Sequence, residues 1–93
     1  MNKWEELLKK CGFKEVDHPF LHGMYWLYPD SKMRPDPPPA TLDNIFKYVV
    51  RKVPVLDRPD ILIRWVWTTY VLEVDGAPAN DLIDILYESH FHQ

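Results

Sequence analysis

Residues 61–74, ILIRWVWTTYVLEV, decide the architecture, because the run can be extended chain or helix. Ile61, Ile63, Trp65, Trp67 and Val71 share one parity, and Leu62, Val66, Tyr70 and Leu72 share the other. β-Branched and aromatic residues dominate, which favours a strand. Both parities are apolar, so such a strand needs cover above and below. Fourteen residues is long for one strand, and a bulge or tight hairpin near Thr68–Thr69 would divide it. A helix is the rival, since Pro59 could occupy a helical N1 position. Composition decides for the strand.

Upstream, residues 2–11 have helical spacing. Trp4, Leu7, Leu8 and Cys11 fall at i, i+3, i+4 and i+7. Asn2 suits the N-cap, with Glu5 three residues on, and Gly12 suits the C-terminal stop. Glu5–Lys9 and Glu6–Lys10 are spaced for ion pairs on the wet side. Residues 13–17 read as extended chain, HPFLHG as a turn, and MYWLY (residues 24–28) as a strand apolar on both faces. PDSK is a turn and RPDPPPA a stiff polyproline-like surface loop. Thr41 or Asp43 then caps a second helix, ending near Lys52, with Leu42, Ile45, Phe46, Val49 and Val50 as its apolar stripe. Arg51 and Lys52 suit its C-terminal dipole.

After 61–74, DGAP ends the strand region and Pro78 opens a last helix, residues 78–89. Leu82, Ile85 and Leu86 would face inward, and Asn80, Asp81, Asp84 and Glu88 outward. The expected fold is therefore one α+β domain spanning residues 1–93. Its order is α-β-β-α-β-α, with an antiparallel sheet of three or four strands and helices packed on both faces.

Three stretches resemble the small phage-type α-β-α sandwich domains of bacteriophage and prophage genes. YWLYPDSK is similar to that family's aromatic strand and turn. PPPATLDNIFKYVVRKV is similar to its passage from prolines through a capping Asp into a helix with a basic end. DGAPANDLIDILYE looks like its closing helix. The resemblance implies a phage-related sandwich domain and brings no catalytic residues with it.

Composition narrows function. One cysteine, Cys11, allows no internal disulfide and no thiol cluster for zinc, which fits a reducing cytoplasm. MNKWEELLKKCGF does not read as a signal peptide, because Glu5, Glu6, Lys9 and Lys10 interrupt any apolar segment. The chain reads as soluble, with no membrane span. Net charge is −3, divided unevenly. Residues 1–52 carry nine Lys and Arg against seven Asp and Glu; residues 53–93 carry two against seven. That balance makes nucleic acid an unfavoured partner.

Each chemical motif has a plainer account. His18, His22, His90 and His92 are a metal suspect, but Pro19 and Gly23 break the helix that HxxxH needs. Cys11 extends an apolar stripe and so reads as core. Asp81, Asp84 and Glu88 share a helix face that reads as solvated. No cofactor and no metal are expected. Pro35 and Pro38 make a PxxP, better explained as a connector to the second helix. The remaining contact surface comprises Tyr25, Tyr28, Arg34, Lys47, Arg51 and Lys52. A non-catalytic domain acting by contact with an unknown protein partner, or with itself as a homodimer, is the expected function. The charge division would make such a dimer salt-sensitive. The runner-up is a weak nucleic-acid module using Lys47, Arg51, Lys52 and Arg64, which requires those four to cluster.

Overall fold

The computed structural model describes residues 2–73 and 77–91. Helix α1 (Lys3–Lys10) forms as its signals dictate. The Asn2 side chain accepts from the Glu5 amide at 2.8 Å, and Gly12 takes the left-handed stop at φ 105°. The Phe13 amide then bonds back to the Leu8 carbonyl at 3.0 Å, which drives the Phe13 ring into the core. Lys9 pairs across to Glu15 at 2.7 Å instead of along the helix to Glu5.

Strands β1 (Lys14–Asp17) and β2 (Met24–Leu27) pair antiparallel, with Glu15 opposite Trp26. Their turn is held by His18, whose Nδ1 accepts from the Phe20 and Leu21 amides, both at 3.0 Å. Strand β3 (Met33–Arg34) pairs antiparallel with β2, so the sheet order is β1-β2-β3. It arises where the sequence suggested only turn and loop. Ser31 at φ 71° closes a tight turn, and Asp30 steadies it by accepting from the Lys32 amide at 3.0 Å. The turn's geometry, more than the β-propensity of two residues, creates this strand.

The proline segment is latched to the fold through its carbonyls. Trp4 Nε1 donates to the Pro38 carbonyl at 2.8 Å, and the Tyr28 hydroxyl to the Asp36 carbonyl at 2.9 Å. It leads into α2 (Leu42–Asn44), capped by Thr41. The chain continues helically through a wide π-type stretch, Ile45–Val49, and a tight turn, Val50–Lys52. Ile45, Val49 and Val50 are buried, while Phe46 is left partly open.

The decisive segment is helical. After a short turn, Val55–Asp57, helix α3 runs Arg58–Val66 and continues as a π-type stretch, Trp67–Val71. The strand expected over 61–74 is thus corrected through residue 71; Val74, with Asp75 and Gly76 of the expected turn, lies outside the described residues. The physical reason is visible in the pattern. A helix apolar on two faces has no strong period, so its composition resembles that of a doubly covered strand. Pro59 supplies the correct signal by sitting in the first turn.

Helix α4 (Pro78–Leu86) closes the fold and continues to Phe91. The observed order is therefore α-β-β-β-α-α-α, a mixed α+β arrangement in which the aromatic residues of 61–71 contribute no strand. One hydrophobic cluster joins α1, the hairpin, the π-type stretch after α2, and α4 through Leu7, Leu8, Phe13, Ile45, Leu82 and Leu86. Trp26 and Tyr28 are buried on one side of β2. Phe13 meets Tyr28 and Tyr48 edge-to-face at 5.0 and 5.1 Å, tying sheet to helices.

Candidate functional site

Helix α3 is apolar on two sides, and only one of them is covered. Its inner side reaches α4 through polar bonds. Thr69 is buried and donates its hydroxyl to the buried Asp81 carboxylate at 2.9 Å. Trp65 Nε1 donates to the Pro78 carbonyl at 2.9 Å. Only Ile61 of this helix is a fully buried aliphatic. The outer side carries Ile63, Val66, Trp67, Tyr70 and Val71, at helical spacing i, i+3, i+4, i+7 and i+8. Ile63 is 65% exposed, Trp67 57% and Tyr70 55%. A groove of about 290 Å³ runs along this face, lined by Leu62, Ile63, Val66 and Trp67 alone. A solvent-facing helix normally keeps its threonines outside and its Ile, Val and Trp inside. Here Ile61 and Trp65 turn inward with Thr69, while Ile63, Val66 and Trp67 remain outside.

The expected contact residues are gathered elsewhere, around a second cavity of about 390 Å³. Its walls come from the end of α1, the turn after β2, and the last turns of the second helix. Tyr28, Lys47, Arg51 and Lys52 all line it. Tyr28 is buried, so it forms a wall and presents little surface. Arg34 lies outside the lining, its guanidinium 4.7 Å from the Tyr28 ring centroid. Tyr25 is half-buried against His18, with the rings 4.8 Å apart. Arg64 is also elsewhere, donating to Ser89 Oγ at 2.7 Å. The four basic residues of the nucleic-acid reading thus divide three to one between the cavity and α3.

Comparison with protein-family models, with curated proteins and with solved structures finds no match.

Other candidates lose their chemistry to structural duties. Asp81, expected on a solvated face, is buried beneath α3, because Thr69 supplies it with a donor. Asp84 of the same trio pairs with Lys3 at 3.1 Å. His18 spends Nδ1 on its turn, and His92 lies outside the described residues. Cys11 is buried at the rear of the basic cavity, and burial holds its thiol up at about 11 despite the opposing charge of Lys52. The exposed face of α3 was hidden from sequence reasoning by the strand assignment. The i, i+3, i+4, i+7 spacing of Ile63, Val66, Trp67 and Tyr70 was its signal, had the run been wound as a helix.

Proposed function

We propose that this chain is a non-catalytic contact module that pairs with a second copy of itself through the outer face of α3. The apolar stripe left exposed on that helix carries the reading. Each outer residue is roughly half exposed, and aromatic side chains have about 150–250 Å² to offer, so the stripe presents on the order of 600 Å² of apolar surface. That is at the upper end of the largest patch on a typical monomer, and it approaches the roughly 800 Å² each partner contributes to a standard interface. The groove beside Trp67 is lined only by apolar side chains and can receive a matching side chain from a facing helix. A two-fold axis brings the same stripe to both sides, so no second surface is needed. A membrane surface is the poorer occupant, because Arg64 is the single Lys or Arg between positions 59 and 73. No helix among the described residues is long and apolar enough to cross a membrane.

The resemblance to phage-type domains adds a phage-derived setting to this proposal, resting on the sequence patterns alone. The runner-up, a nucleic-acid module, draws support from Lys47, Arg51 and Lys52, which share one cavity, and none from Arg64.

Sedimentation velocity on the wild-type chain and on Trp67→Glu tests the pairing. The wild type should sediment as a dimer at micromolar concentration with little dependence on salt, because the stripe is uncharged. Trp67→Glu should be monomeric with an unchanged circular dichroism spectrum, since residue 67 faces outward. A wild type that stays monomeric, or a Trp67→Glu variant that still pairs, overturns the proposal. A dimer that dissociates steeply with salt would instead favour an electrostatic contact between the acidic and basic halves.

A further inference from the structure

Three of the eleven Lys and Arg residues converge on one cavity in a protein of net charge −3. Lys47, Arg51 and Lys52 have no carboxylate within salt-bridge distance among the described residues, whereas Lys3 pairs with Asp84 and Lys9 with Glu15. Asp30 is the single carboxylate of the lining, and it is already engaged by the Lys32 amide. The wall behind the cations is formed by Tyr28, Tyr48, Pro29 and the buried Cys11. Cations gathered around a concavity focus their field on its mouth more than cations scattered over an open surface.

The backbone explains the convergence. In the π-type stretch the Val50 amide bonds to the Ile45 carbonyl, five residues back. That wider turn is followed by a tight one, and together they turn residues 47, 48, 51 and 52 into the same cavity. Lys47 Nζ lies 5.1 Å from the Tyr48 ring centroid, a contact that holds its charge over the cavity wall. Arg58 donates from Nε to the Val53 carbonyl at 3.0 Å and from Nη2 to the Arg51 carbonyl at 2.9 Å. These bonds fix the end of the helix and leave the Arg51 side chain unencumbered. A basic helix end alone would be explained by the helix dipole. A volume of about 390 Å³ between three elements, bordered by three unpaired cations, is more than the dipole requires.

We infer that this cavity binds a small phosphoryl anion, with Arg51 forking onto the phosphate and Lys47 and Lys52 neutralising it from the rim. The inference is independent of the α3 pairing, since the cavity lining contains no residue of α3.

Isothermal titration of the full chain with inorganic pyrophosphate, at constant ionic strength in chloride, tests it. Saturable one-to-one binding is expected. Arg51→Gln and Lys52→Gln should each weaken it by about tenfold, the loss of one charge-assisted contact. Both side chains are exposed, so the variants keep their fold, and Lys3→Gln, at the far salt bridge, should bind as the wild type does. No saturable heat, or equal binding by wild type and both cavity variants, overturns the inference. A short oligothymidylate that binds more tightly than pyrophosphate, and loses affinity in the same variants, would transfer the phosphate to a nucleic-acid strand and overturn the small-molecule assignment.

Discussion

Cys11 shows how one residue's surroundings decide its chemistry. It sits at the stop of α1, buried, with the apolar stripe of that helix behind it. Removal from water penalises the thiolate more than nearby Lys52 favours it, so the thiol is held up at about 11 against an ordinary 9.0. Reactivity follows the thiolate, and at pH 8 this cysteine should react with iodoacetamide far more slowly in the native chain than in urea. Equal rates in the two conditions would contradict the burial. The linkage has a definite sign. The stability held by the neutral buried thiol is intact below pH 9 and is lost as pH rises towards about 11. Tyr28 shifts in the same direction, chiefly from burial, so denaturation midpoints should fall on the alkaline side.

Among the elements, the packing of α3 on α4 depends on one polar pair. Thr69 and Asp81 are both 4% exposed and meet through a single hydroxyl donor. Thr69→Val fills the same space and leaves the carboxylate without that donor. The expected cost is about 1–3 kcal/mol, read as a melting temperature lower by about 4–8 °C per kcal/mol. Thr69→Ser keeps the hydroxyl and should recover most of it; thermal denaturation of the three proteins is the check. This pair also marks how far the sequence could be read. Asn2, Gly12, Thr41 and Pro78 announced their helix ends, and those ends form where expected. Trp4, Leu7 and Leu8 announced a buried face by their spacing. Residues 61–71 could not be read this way, because the helix carries large apolar groups on its exposed side as well as on its covered one. β-Propensity points to a strand there, and the helical spacing of Ile63, Val66, Trp67 and Tyr70 is masked by the apolar residues of the covered side. Strand β3 was illegible for another reason, since two residues carry no pattern and a turn created it. The basic cavity was half legible: Lys47, Arg51 and Lys52 were singled out, but their meeting with Cys11 and Tyr28 depends on long-range packing.

The whole molecule is more extended than its length requires. Its radius of gyration is 14.6 Å and its extents are 49 × 27 × 23 Å, where a compact chain of this length would have a radius of about 12 Å. The core joins α1, the hairpin, the π-type stretch after α2, and α4, and α3 contributes one fully buried aliphatic to it. A second copy laid against α3 would supply the missing cover and leave the basic cavity free. The most direct test of this account is a carbon-13 and nitrogen-15 chemical-shift measurement on the full chain at two concentrations. Helical Cα shifts are expected through residues 61–71, with amide shifts on dilution that concentrate at Ile63, Val66, Trp67, Tyr70 and Val71. Strand-like Cα shifts in that segment, or spectra that do not change on dilution, would contradict it.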